Sequence, residues 1–365
     1  VKDYMEALLN KEGLKYDAIL TDGIKVAYFQ FVGERVRHTT LRNLSVDDID
    51  RIIKAILNNQ TKKFEPVNIV KDFSISPMSF SVSKTIATIL FAQLNDHMTE
   101  KSNMLYSEWK GLMHLSVEDN GKGSDIAKRR LDLSEIFACD ISDTEKEYKA
   151  LFALQTTYAI IVKLIACKVV DRLNFNEDAH DYHDLSILPS DKMQRFFQEI
   201  EDGYSYTSEG IRNFLEGDFF SWYADENQWS EEFWLNIKQI IIVLDEYSTF
   251  SFNVKYNPVD VFKDLYMSII PQSVRHSMGE YFTPEWLADR VISEALNGIQ
   301  KQEWKAMDPC CGSGIFVIAL IKKVVGDIDV SELSDVERKV LLNSIIERVH
   351  GIDINPLSVL SARVS

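Results

Sequence analysis

Asp308-Pro309-Cys310-Cys311-Gly312-Ser313-Gly314-Ile315-Phe316 is the stretch whose reading decides the fold. Ahead of it, residues 303–307 are short enough to form a strand. Behind it, residues 316–325 are an apolar run with Lys322 and Lys323 near the end, which predicts a helix. An acid at a strand end, a Gly-x-Gly turn and a helix are how a doubly wound sheet builds a nucleotide-type pocket. Glycines let the backbone approach a ligand, and the helix start presents unpaired N–H groups to it. The dinucleotide fingerprint Gly-x-Gly-x-x-Gly is not met, because Val317 stands at its third glycine, and no Gly-Lys-Ser/Thr follows as a P-loop requires. With Asp308 in front, the expected ligand carries a cation and hydroxyls. S-adenosyl-L-methionine (SAM) fits, with an ammonium, a sulfonium and a ribose.

Two flanking stretches narrow this reading. Gly279-Glu280-Tyr281-Phe282-Thr283-Pro284 lies upstream and Gly351-Ile352-Asp353-Ile354-Asn355-Pro356 downstream. In that order, the three stretches resemble the amino-terminal motifs of the adenine-specific (N6) DNA methyltransferases found in type I modification subunits and fused restriction–modification enzymes. The resemblance runs from about residue 259 onward, a minority of the chain. It implies a Rossmann-like SAM-dependent methyltransferase sheet, so the fold expectation is α/β with a large helical portion. The expected organisation is a small α/β region (1–60), a mainly helical domain (61–256) and the start of the methyltransferase domain (257–365).

The resemblance also implies roles. Asp308 would lie near the methionine ammonium. Pro309, Cys310, Gly312, Ser313 and Gly314 would line the pocket, with Phe316 packing beneath. Asp353 would accept hydrogen bonds from the ribose hydroxyls and Ile354 would touch the adenine. Asp353 follows Asp308 by 45 residues, against about 20 in the dinucleotide fold, and an inserted helix accounts for the excess. Phe282, Thr283 and Pro284 would close over the methionine end. Thr283 can also cap a helix over 285–296 with Pro284 at its first position, and Cys310 and Cys311 also read as small packing residues.

The family's catalytic motif, Asn/Asp/Ser-Pro-Pro followed by an aromatic, holds the flipped adenine. It is not found here. Asn257-Pro258-Val259 and Asn355-Pro356-Leu357 do not fit it, so no catalytic residue is assigned. The chain therefore reads as a fragment of a larger enzyme that should not methylate DNA alone. Double-stranded DNA, engaged mainly through other regions, and specificity or restriction subunits are the implied partners. The rival reading is a non-catalytic interaction subunit that keeps a SAM-like pocket as scaffold.

Composition is consistent with a globular protein. The chain has 365 residues, 45% hydrophobic and 26% charged, and a net charge of −16. Phosphate contacts need Lys and Arg, so the acidity argues that the main DNA surface lies elsewhere. The competing explanation is local basic patches at Lys128-Arg129-Arg130 and Lys322-Lys323. No run of consecutive apolar residues reaches membrane-span length. Cys139, Cys167, Cys310 and Cys311 show no paired-ligand spacing, and with seven histidines no metal site is expected. Reduced thiols and a cytoplasmic location are the expectation. His180 and His183 read as part of a loop.

In the amino-terminal region, residues 24–32 alternate as a strand does, Gly33-Glu34 turns, and 35–41 returns as a hairpin. Ser45 caps a helix over 49–57, with Asp48 in the reciprocal position. Glu147-Tyr148-Lys149 has the spacing of a nuclease Glu-x-Lys but lies in a helical pattern. Helices are expected over 82–94, 148–173 and 231–247. The aromatics Phe214, Phe219, Phe220, Trp222, Tyr223, Trp229, Phe233 and Trp234 could stack bases, but interleaved acids favour core packing. Residues 117–123 resemble the Asp-x-Gly-x-Gly turn of gyrase-type ATPases; lacking companion motifs, they read as an exposed loop. Further elements are expected at 259–270 (helix), 327–348 (helix), 349–353 (strand) and 357 onward (helix).

Overall fold

The structure is a computed structural model. It describes residues 1–12, 16, 18–32, 35–46, 48–49, 52, 62–76, 81–116, 123–174, 182–207, 211, 214, 219–248, 261–299, 304–326, 328, 330 and 333–364.

The amino-terminal unit is α1 (Lys2–Glu12) with β1 (Ala18–Thr21), β2 (Lys25–Val32), β3 (Arg35–His38) and β4 (Arg42–Asn43). β2 pairs antiparallel with β1, β3 and β4. The hairpin of 24–41 is thus present; its turn, 33–34, lies outside the described residues. The expected reciprocal cap also forms. Ser45 N–H donates to Asp48 Oδ2 at 2.8 Å and Asp48 N–H to Ser45 Oγ at 3.2 Å. Arg42 and Tyr28 also donate to Asp48. Buried Asp48 thereby has its carboxyl held well below the usual range, since the hydrogen bonds outweigh desolvation. Most of the helix expected over 49–57 lies outside the described residues.

A helical body follows. It comprises β5 (Lys62–Lys63), α2 (Pro66–Phe73), α3 (Val82–Asp96), α4 (Glu100–Ser116), α5 (Gly123–Phe137), α6 (Thr144–Asn174), α7 (Tyr182–Ser186), α8 (Ser190–Glu201), α9 (Tyr204–Thr207), a 3-10 turn (Phe219–Ala224), α10 (Glu231–Asp245), β6 (Tyr247–Ser248), α11 (Val261–Ile269) and α12 (Gln272–Ser277). α6 is the axis. It is long and apolar enough to cross a bilayer, though charged and polar residues interrupt its apolar ones, but residues 150–167 within it are all buried inside the protein. α3, α5, α10 and α11 pack around it. Phe220, Trp222, Tyr223 and Phe233 are buried in this core, and Phe214, Phe219, Trp229 and Trp234 pack against it. These aromatics are therefore core, as expected.

Several other expectations meet the structure here. Glu147 sits on α6 and accepts hydrogen bonds from Arg129 and Arg130, so the Glu-x-Lys spacing has no nuclease geometry and the basic run on α5 is partly neutralised. His183 lies in helix α7 rather than in a loop; His180 is outside the described residues. Residues 117–122 are also outside them, between α4 and α5.

The last unit comprises α13 (Glu285–Ala295), β7 (Ala306–Asp308), α14 (Ile315–Val325), α15 (Asp335–Arg348), β8 (Val349–Gly351) and α16 (Pro356–Val364). β7 and β8 are parallel, with Asp308 opposite Gly351. The first strand, expected over 303–307, is shorter: it begins at Ala306 and ends one residue later, at Asp308, and residue 303 is outside the described residues. α15 begins at Asp335 rather than 327, where Ser334 and Glu337 close a capping box. A smaller core of Ile292, Trp304, Ala319, Leu320, Val324 and Val349 holds this layer. α16 instead contributes Leu357 and Leu360 to the larger core. The architecture is mostly helical with small sheets, compatible with α/β. Among the described residues, this unit's sheet is a single pair of parallel strands joined through helices.

Candidate cofactor site

The site is built at the carboxyl ends of β7 and β8. Pairing continues beyond the strands: Ile352 N–H donates to Asp308 O and Cys311 N–H to Ile352 O, both at 2.9 Å. The glycine turn and the segment after β8 are thereby fastened side by side. Gly312 has φ +53 and Gly314 φ +92, the left-handed region that favours glycine. A Cβ on Gly314 would stand 3.1 Å from Ala362 Cβ, whereas one on Gly312 would meet nothing within 4 Å. Gly314 is thus glycine for packing against α16 as well as for its φ. Gly312 borders open space.

Asp353 ties the two segments together. Its Oδ2 accepts from Gly312 N–H at 2.8 Å and its Oδ1 from Asn355 N–H at 2.8 Å. Each oxygen keeps a second lone pair, so the group can accept two further donors. Asp308 Oδ1 accepts from Cys310 N–H at 3.1 Å. Burial, followed by the charges of Asp353 and Asp308, pushes the Cys311 thiol up to about 11. The same negative field favours a cation beside the turn.

The other predicted residues are distributed as follows. Ser313 and Gly314 are buried under the turn, and Phe316 packs in the smaller core. Cys311 is buried, but Cys310 and Pro309 are exposed, so Cys310 does not pack. Ile354 is half exposed, available to a flat ring but held by no core. Phe282 lies edge-on to Tyr266 at 6.0 Å, against the larger core. Thr283 does not cap α13: Pro284 occupies the cap position with no side-chain bond, and so precedes the first helical turn. Glu285 in that turn pairs with Lys322 at 2.8 Å, which neutralises part of the second basic run.

Three residues escaped the sequence reading. Asn355-Pro356, unsuited to the catalytic motif, is a helix cap: Asn355 Oδ1 accepts from Leu357 N–H at 3.0 Å. An Asn followed by Pro before an apolar run was the signal. Glu280 accepts from Asn355 Nδ2 at 2.6 Å and from Tyr266 Oη at 2.7 Å. Nothing in the spacing of Tyr266 marks it as a partner.

Comparisons with known proteins concern this same region. Residues 257–356 match the family described as N-6 DNA Methylase. An 85-residue stretch is 35% identical to the adenine-specific methyltransferase PglX of Streptomyces coelicolor (strain ATCC BAA-471 / A3(2) / M145), covering 22% of this chain and 7% of that relative. No solved structure matches. Residues 257–356, which hold the glycine turn, Asp308 and Asp353, are thus the part of the chain that is similar to the N-6 DNA methylase family.

Proposed function

We propose that this chain carries the SAM-binding part of an adenine-N6 DNA methyltransferase from a restriction–modification or phage-defence system. The observation that supports this most is the Gly312–Asp353 hydrogen bond. It clasps a glycine turn and an acid at adjacent strand ends, inside the stretch that matches the family. When bound, SAM supplies a methyl group on a sulfonium, open to attack by the adenine amine.

Each residue's part follows from its chemistry. The remaining lone pairs of Asp353 accept the ribose hydroxyls. Asp308 faces the ammonium, and the two carboxylates complement the ligand's two positive centres. Gly312 admits the ligand to the backbone, with Pro309, Cys310, Ser313 and Gly314 around it. Ile354 covers the adenine, Phe316 supports the turn from below, and Phe282, Thr283 and Pro284 border the methionine end. The target adenine of double-stranded DNA is taken out of the stack for transfer. The Asn/Asp/Ser-Pro-Pro-aromatic motif that would grip it does not occur in this sequence; double-stranded DNA and specificity or restriction subunits are the proposed partners, and the cytoplasm the proposed location. Residues 1–60, 61–256 and 257–365 are the proposed divisions.

Calorimetric titration of the chain with SAM tests this. One-site binding is expected, weakened at least about tenfold by Asp353→Ala, since hydrogen bonds to a charged group contribute about 1.5–3 kcal/mol each. Equal binding by both proteins would remove Asp353 from the site.

A further inference from the structure

We infer that Glu280 is a positioning residue for the cofactor turn, fixing it to the helical body through a continuous chain of hydrogen bonds. The inference rests on the SAM reading of the turn for its consequence, but not for its geometry. The chain starts at Tyr266 on α11, which is buried in the larger core. Tyr266 Oη donates to Glu280 Oε2 at 2.7 Å, and Asn355 Nδ2 donates to Glu280 Oε1 at 2.6 Å. Asn355 N–H donates to Asp353, and Gly312 N–H donates to the other oxygen of Asp353. Every link is between 2.6 and 2.8 Å.

Glu280 decides how Asn355 stands. Asn355 is 4% exposed, and its Oδ1 is committed to capping α16. Its Nδ2 therefore needs an acceptor, and Glu280 is that acceptor. With the amide so fixed, the backbone N–H of Asn355 is aimed at Asp353. An acid inside Gly279-Glu280-Tyr281 has no contact with the glycine turn itself and acts through its neighbours. A structural cap alone would not need a link to a second core. This link crosses from the body to the layer, so packing in α11 is felt at the Asp353 carboxylate that would meet the ligand.

The groups facing Glu280 are Tyr266, Asn355, Asp353 and Arg275. Burial and Asp353 disfavour its charge, and Tyr266, Asn355 and Arg275 favour it. Burial dominates, so its carboxyl is pushed up to about 7. Ionisation near neutral pH then adds a negative charge behind Asp353. That charge should strengthen capture of a cationic ligand as pH rises.

The test uses the full chain in three forms: wild type, Glu280→Ala and Glu280→Gln. The glutamine keeps the shape and the acceptor for Asn355, while Tyr266 Oη can turn to accept from its amide. Amide hydrogen exchange is measured without ligand over 308–316, 351–357 and, as reference, 144–174. SAM affinity is measured from pH 6 to 8.5. For Glu280→Ala, exchange about tenfold faster in the first two segments only, and SAM affinity about tenfold weaker, are expected. Glu280→Gln should restore both to within about threefold and remove the extra gain in affinity that wild type shows with rising pH. Unchanged exchange and affinity in Glu280→Ala overturn the inference. Should that variant unfold, Glu280→Gln decides, and a pH profile identical to wild type overturns it. Faster exchange in Glu280→Ala, with wild type failing to bind SAM, sustains the positioning role and rejects the cofactor.

Discussion

α6 and α15 are both regular helices, yet they use their apolar residues in opposite ways. α6 is buried throughout residues 150–167, surrounded by other helices. α15 has fourteen residues and none is buried; Val336, Val340, Leu342 and Ile346 are all more than half exposed. Met307, Ile352 and Ile354 are likewise exposed at the strands beside it. The body is therefore organised around a closed core that makes its own stability, and the layer is held by a small core plus ties to the body. Apolar burial contributes about 25 cal/mol per Å², so the exposed layer gains little of it. Its geometry depends instead on polar links: the Asp353 clasp and the chain through Glu280.

Substitutions should separate the two regions. The largest effect is expected deep in the body. Lys163 and Glu201 form an ion pair with side chains 1% and 4% exposed, and Tyr223 Oη donates to the other oxygen of Glu201 at 2.6 Å. Lys163→Met leaves that carboxylate uncompensated, so urea unfolding should register a loss of about 3–5 kcal/mol. A loss under about 1 kcal/mol would mean the body does not depend on its buried pair.

The next effect lies at the junction. The folded state holds the Glu280 proton more tightly than the unfolded chain, where the usual value is 4.5 against about 7 here. This contribution is fully present below about pH 4.5 and is lost as pH rises through about 7. Relative to Glu280→Gln, wild type should lose stability across that window, by at most about 3 kcal/mol and less because the residue is partly exposed. Parallel pH–stability curves for the two proteins would refute the upward shift of the Glu280 carboxyl.

Smaller effects are expected within the layer. A Cβ on Gly351 would lie 2.8 Å from Val317 Cγ2 and 3.1 Å from Cys311 Cβ. Gly351→Ala should cost about 1–3 kcal/mol by overpacking and loosen the turn through Cys311. The smallest effect is expected on α15, where Val340→Glu should change stability by less than about 0.5 kcal/mol. A large loss there would show that this face is covered in solution.

Legibility in the sequence followed the same division. Helices of the body were readable because a closed core enforces 3.6-residue periodicity, as in residues 82–94 and 148–173. The turn at 312–314 is readable because glycine is strongly favoured at φ +53 and +92. Strand limits were less so, since three-residue strands carry too few residues for a period-2 pattern. Thr283 misled because a hydroxyl before a helix suggests a cap, while Pro284 took that position. Glu280 and Asn355 went unread as partners, because a contact across 75 residues leaves no local trace. The Asp353 clasp on Gly312 spans 41 residues and leaves no local trace either; the family resemblance marks both residues for the pocket, not the bond between them.

The most direct test of the central claim is amide hydrogen exchange of the chain with and without SAM. The account predicts slowed exchange confined to 308–316 and 351–357, with 144–174 unchanged. Slowing elsewhere, or none at the glycine turn while SAM is bound, would contradict it.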